Sequence, residues 1–282
     1  MPIRVPIPEL RPFVDAIWVS DQSRSDQSQS DQFQSVSMTP FREYALPSGG
    51  MGLVVRLSDM PIVLCDADRT ESRSYGYTVV SGARSGYYAR ELAGPVRSIG
   101  ASLRAGATER LFGIPADEFA ERHIRLEDVW GHQAQALRER VLEAQTYERQ
   151  LDAFESFLKQ RLRTIKGMHP AIAQALALMK PNTDIELLAK RSGYSHRRFI
   201  ELFRRSVGLT PKLYSRVQRF QRTLKAISQS DAAAFAQIAF DMGYSDQSHF
   251  NREFREFAGM TPAEYKQSAP LSPSHVRRDA RR

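Results

Sequence analysis

The feature that most constrains this chain is a device written twice in its last third. Residues 193–214 read GYSHRRFIELFRRSVGLTPKLY, and residues 243–265 read GYSDQSHFNREFREFAGMTPAEY. Leu188, Ala189, Gly193, Tyr194 and Ser195 have counterparts in Ile238, Ala239, Gly243, Tyr244 and Ser245. Phe199, Phe203, Gly208, Thr210, Pro211 and Tyr214 have counterparts in Phe250, Phe254, Gly259, Thr261, Pro262 and Tyr265. The offset is 50 before the turn and 51 after it, which puts one extra residue in the second long helix.

Each copy reads as a short helix, a turn pivoting on glycine and a longer helix, the pattern of a helix-turn-helix. In the first copy Thr183 or Asp184 can cap the short helix, Gly193 can end it, and the Ser195 hydroxyl can cap the next one, a role Ser245 takes in the second copy. Small Ala189 and Ala239 let the paired helices cross closely. With the aromatic residues turned inward, His196, Arg197, Arg198 and Glu201 face outward in the first copy, as do Asp246, Gln247, His249, Asn251 and Arg252 in the second. Arginine pairs with guanine, and glutamine or asparagine with adenine, each good pair contributing about 1–3 kcal/mol of discrimination. For any single residue a solvated helix face explains the pattern equally well; for a duplicated pattern that explanation is weak.

Between the copies, apolar residues at 213, 217, 220, 224 and 227 define one continuous amphipathic helix that fixes the separation of the modules. Its Arg216, Arg219, Arg222 and Lys225 are expected to face solvent or phosphate. Phosphate contacts are expected from Ser195, Arg204, Arg205, Lys212, Arg216 and Ser245, and base reading from His196, Arg197, Arg198, Glu201, Gln247, His249, Asn251 and Arg252.

Charge supports a polyanionic partner for this part of the chain. Residues 168–282 carry 19 Lys and Arg against 10 Asp and Glu, whereas residues 1–167 carry 21 against 22. The whole positive excess sits with the repeated device.

The first half reads differently. REYALPSGGMGLVVRLSDMPIVLCDAD, YGYTVVSGARSGYYAREL and VRSIGASL are short β-branched or aromatic runs punctuated by SGG, SDMP and AGP, as in a compact mixed-β sandwich or barrel. A five-residue repeat, SDQSRSDQSQSDQFQ from residue 20 to 34, reads as a flexible loop. From 132 to 167 the composition turns helical, and Tyr147, Leu151, Phe154, Leu158 and Ile165 form a stripe expected to fold back on the sheet, with a dimer seam as the sharper alternative. KGMHPA reads as the joint that follows. The expected organisation is therefore α+β: a β-rich sensor domain over 1–131, a helical connector over 132–167, an all-α domain with two helix-turn-helix motifs over 168–268, and a basic disordered tail over 269–282.

The paired modules, and above all the second, resemble the DNA-binding domain of the AraC/XylS family of bacterial transcription regulators over about residues 168–267. The first copy, SHRRFIELF, is the looser match. The resemblance implies two helix-turn-helix units that enter successive major grooves on one side of the DNA, roughly 34 Å apart. LPSGGMGLVVRL and the segment from VVSGARSG to LEDVWG are similar to the sensor-like domain of one branch of the family, which commonly uses a cupin-like barrel for effector binding, dimerisation or both. Double-stranded operator DNA is then the partner; RNA polymerase, a small effector and a second copy of the chain are admitted as further ones. No cofactor or metal is implied, and activation or repression is left open.

Two enzymatic readings compete. An alkyltransferase fused to a DNA-binding domain needs an activated cysteine thiolate, and the self-regulating kind needs a cysteine cluster, whereas this chain has Cys65 alone, expected as a small buried residue on a strand. A metal-dependent cupin enzyme needs converging ligands, whereas the first half offers only His123 and His132, expected at its helical end. The opening MPIRVPIPEL has no apolar core of a signal peptide and no run of eighteen apolar residues occurs, so a cytoplasmic protein with no membrane partner is expected.

Overall fold

The structure is a computed structural model; it describes residues 2–21, 41–66, 71–92, 94, 96–163, 168–179, 183–229, 235–268, 270 and 272–278. The five-residue repeat beyond Asp21, Ile165 of the connector stripe and Gly167 of the expected joint lie outside them.

The first half forms β1 (Ile3–Arg4), β2 (Val14–Asp21), β3 (Phe41–Ala45), β4 (Met51–Arg56), β5 (Val63–Asp66), β6 (Arg73–Ser74), β7 (Thr78–Ser81), β8 (Tyr88–Leu92) and β9 (Arg97–Leu103). Then come α1 (Ala107–Leu111), β10 (His123–Arg125), α2 (Glu127–Trp130), α3 (His132–Glu143) and α4 (Tyr147–Arg161). The strands pair antiparallel into two sheets, one ordered β1-β2-β9-β4-β7-β10 and the other β3-β8-β5-β6, so the domain is a sandwich. Period-two alternation decides which side chains face which layer. Leu53, Val55, Val80, Ile99 and Ala101 point from the larger sheet into a core shared with Leu137, Leu151, Phe154 and Leu158 of the α3–α4 hairpin. Burying each of the larger of these side chains contributes about 1.5–3 kcal/mol.

The connector thus folds back on the sheet, as expected. Arg4 pairs with Asp152 and Glu155, the Glu155 carboxylate accepts from the Ile7 backbone N–H at 2.6 Å, and the Tyr147 hydroxyl donates to Asp21. Cys65 is a buried residue of β5. His123 departs from expectation: it lies within the sheet on β10, buried beside Ser81 and edge-on to Tyr75 and Tyr88. His132 begins α3.

The second half is helical: α5 (Pro170–Leu178), α6 (Ile185–Ser192), α7 (His196–Val207), α8 (Pro211–Gln229), α9 (Phe235–Asp241), α10 (Gln247–Ala258) and α11 (Pro262–Gln267), ending in β11 (His275–Arg278). It packs against the sandwich at the end of both long helices. Gly208 and Gly259 follow α7 and α10 with φ of 93° and 66°. A Cβ at Gly208 would lie 3.1 Å from the Ala83 methyl, and one at Gly259 would lie 2.4 Å from the Tyr87 ring. The 83–87 segment between β7 and β8 therefore touches both copies of the device. The linker helix α8 adds Gln218 and Gln221, whose side-chain amides donate to the carbonyls of Ser48 (2.9 Å) and Pro47 (2.7 Å).

The tail corrects the expectation of disorder. β11 pairs antiparallel with the edge strand β3, Val276 opposite Tyr44, and Val276 is fully buried. The open edge of β3 supplies hydrogen bonds that no local sequence signal announces. Ser274 donates to Gln221 of α8, and the Tyr265 hydroxyl donates to the Pro273 carbonyl, so the tail runs from the helical domain straight onto the sandwich. Residues 279–282 lie outside the described part.

Candidate nucleic-acid interface

In the first module Asp184 caps α6, its carboxylate accepting from the Glu186 N–H at 2.8 Å, and Gly193 ends the helix in the left-handed conformation. Ser195 caps α7 by accepting from the Arg198 N–H. Phe199, Phe203 and Val207 are buried, while His196, Arg197, Arg198 and Glu201 are exposed, Arg198 pairing with Glu201 at 2.9 Å.

The second module repeats this with one change. The cap of α10 is Asp246, not Ser245: the Asp246 carboxylate accepts from the His249 N–H at 2.7 Å. That bond, with the Ser245 hydroxyl donating at 3.0 Å, holds the carboxyl below its ordinary range. Both long helices have 12 residues, so the extra residue lies in the turn ahead of the cap and not in the recognition helix. Asp246 stands where Ser195 stands, Gln247 where His196 does and Arg252 where Glu201 does. Ser248, exposed and equivalent to Arg197, joins the outward set that sequence reasoning missed.

Gln247, Asn251 and Arg252 are exposed. His249 is drawn inward: its Nδ1 contacts the Ser245 hydroxyl at 3.1 Å, its ring meets Tyr244 edge-on, and its Nε2 approaches Glu253 at 3.8 Å. The exposed Arg204, Arg205 and Lys212 flank the first module, with Arg205 paired to Glu109 of the sandwich domain at 3.0 Å.

Arg216 and Arg219 correct the expectation that they face solvent or phosphate. The Glu253 carboxylate, 2% exposed, accepts from Arg219 Nε (3.1 Å) and Nη2 (2.8 Å) and from Arg216 Nε (2.9 Å). Arg216 also donates to Glu256 at 2.6 Å and covers the Phe257 ring, and Arg219 covers Tyr244. Burial opposes the charge on Arg216, but the bonds to Glu253 and Glu256 outweigh it and raise its pKa. The cluster ties α8 to α10 and so sets the angle of the second recognition helix.

Between the modules lies a cleft of about 540 Å³ whose walls include Thr183, Lys212, Ser215, Arg216, Arg219 and His249. Its lining comes from the start of α6, from α8 and from α10, with three cationic side chains against the Glu253 carboxylate. Two matched helix-turn-helix modules joined by a rigid helix have the architecture of a double-module DNA-binding domain, set here beside a β-sandwich.

Comparison with known proteins agrees. Residues 188–268 match the helix-turn-helix domain family, and residues 4–125 match a domain of unknown function, DUF6597. The regulatory protein SoxS of Salmonella typhimurium is 32% identical over 83 residues, covering 29% of this chain and 77% of SoxS. An uncharacterised HTH-type transcriptional regulator of Haemophilus influenzae is 30% identical over 96 residues, covering 33% of this chain and 32% of that protein. The chain thus spans about a third of the length of that curated relative. A crystal structure of an apo ToxT variant from Vibrio cholerae covers 95% of this chain and 100% of its own, at 12% identity and a TM-score of 0.47. The chain belongs to the AraC/XylS family of transcription regulators.

Proposed function

We propose that the protein is a sequence-specific transcription regulator that works in the cytoplasm and reads two successive major grooves on one face of double-stranded DNA, with no enzymatic activity of its own. The observation that carries this reading is the equivalence of α7 and α10: equal length, capped starts and exposed polar faces, held at a fixed separation by α8. His196, Arg197, Arg198 and Glu201 read one box, and Gln247, Asn251 and Arg252 the other, His249 supporting them from its inward position. Ser195, Arg204, Arg205 and Lys212 contact phosphate, with Ser245 beside the Asp246 cap. Arg216, bound to Glu253 and Glu256, orients α10 and stands apart from the phosphate contacts. Among the described residues no helix is long and apolar enough to cross a membrane. RNA polymerase and a second copy of the chain are compatible partners; a small effector would act through the sandwich.

The test is selection of genomic fragments by the purified full-length protein near physiological salt with excess competitor DNA. Two short boxes about one helical turn apart are expected. Fragments retained without a shared motif overturn the reading.

A further inference from the structure

The space between the two sheets holds charge that DNA recognition does not use. Along β4, Leu53 and Val55 join the core under the helices, while Val54 packs between the sheets beside Leu64, Tyr75 and Val79. Arg56 lies two residues beyond Val54 on the same strand and so enters the same inter-sheet space. It is 6% exposed, and among the described residues neither its Nε nor its Nη1 has a hydrogen-bond partner. A buried guanidinium with open donors is a costly arrangement unless something occupies them.

The facing sheet makes the position more cationic. Arg90 of β8 stands opposite Leu64, hence also inward, with Nη2 3.0 Å from the Glu43 carboxylate and its buried Nε without a partner among the described residues. Burial, and then the charge of Arg90, pulls the Arg56 pKa down to about 10, still protonated at neutral pH. His275 of β11 borders the same group and is held neutral, chiefly by burial and then by Arg90, against the pull of Glu43. Among the described groups that act on Arg56 and His275, the two guanidiniums outnumber the one carboxylate by a single positive charge, the imidazole being neutral.

We propose that this inter-sheet space is a binding site for a small organic monoanion, whose carboxylate accepts hydrogen bonds from Arg56 with Arg90 as the second cation. One unmatched charge fits a carboxylate better than a phosphate dianion. Val54, Leu64 and Val79 alongside suit an apolar body on the acid. His275 comes from the C-terminal strand, so the occupant of the site also bears on how that strand docks. The proposal deepens the reading of the sandwich as the effector domain and does not depend on how the helices bind DNA.

The experiment titrates full-length protein with acetate, butyrate and benzoate, and with inorganic phosphate, against chloride at matched ionic strength, following heat release and thermal unfolding. Saturable stabilisation by at least one carboxylate beyond chloride is expected. Arg56→Leu should weaken that binding roughly tenfold or more, the loss of a charge-assisted bond. Without any probe, Arg56→Leu should melt at the wild-type temperature or above it, because an unmatched buried charge has gone. Arg90→Gln should weaken the same binding independently. The proposal is overturned if no carboxylate saturates, if phosphate saturates instead, if Arg56→Leu binds as the wild type does, or if it melts lower or fails to fold without a probe. DNA binding is measured on the same preparation: carboxylate binding without DNA binding would sink the regulator reading alone, and the reverse would sink this site alone.

Discussion

Replacing Glu253 by glutamine tests the cluster that holds α10 to α8. Its carboxylate takes three donors from Arg216 and Arg219 and is 2% exposed, so the two cations lose their main counter-charge at once. Removing one partner of a buried pair costs about 3–5 kcal/mol. Arg219 and Arg216 are 12% and 30% exposed, and glutamine keeps one acceptor, which lowers the expected cost to about 2–3 kcal/mol. At roughly 2–4 °C per kcal/mol for a unit of this size, the melting temperature should fall by about 5–10 °C. The comparison is Glu256→Gln, which meets Arg216 through a side chain 55% exposed and should cost less than about 1 kcal/mol. Urea unfolding followed by far-ultraviolet circular dichroism measures both. Equal costs would refute the argument that burial makes Glu253 the organising member.

Caps, tail and phosphate contacts give further expectations. Asp246→Ala should lower stability clearly more than Ser245→Ala in the same unfolding assay; the reverse order would return the cap to Ser245. His275 has a pKa lowered to about 4 when docked, so docking is fully supported above its ordinary value near 6.5 and is lost as pH falls toward 4. Each pH unit in that window should favour the undocked strand by about 1.4 kcal/mol, read as faster amide exchange at Val276, and His275→Gln should abolish the dependence. Lys212→Ala should make the slope of log K against log salt shallower by about 0.9, and Arg216→Ala should chiefly lower stability; the opposite assignment would be read from an unchanged slope for Lys212. Arg252→Ala should relax base preference in one box by about 1–3 kcal/mol, and an unchanged selected motif would remove it from the base-reading set.

What was legible in the sequence was local. The recurrence of Phe199, Phe203 and Val207, with Ser195 and Gly208 at the ends, gives α7 its bounds without reference to any neighbour. The cap of α10 is not legible because Ser245 and Asp246 are both good caps, and only the equal lengths of the helices decide between them. Arg216 and Arg219 look like surface residues of an amphipathic helix; the Glu253 that buries them is 34 or more positions away and belongs to another helix. The tail carries no strand signal beyond the alternation of His275, Val276 and Arg277, and it becomes a strand because β3 offers an unpaired edge. The inter-sheet Arg56 is likewise invisible until the period of β4 is anchored by Val54, since an arginine ending a strand is ordinarily solvent-exposed.

The central claim is that one chain reads two grooves on the same face at a spacing its own linker helix fixes. It is tested most directly by measuring the affinity of the full-length protein for its selected site and for the same site with five base pairs inserted between the boxes, which moves them to opposite faces of the duplex. The account predicts a loss of on the order of a hundredfold or more, down toward binding by a single module. Equal affinity for the two sites would contradict it.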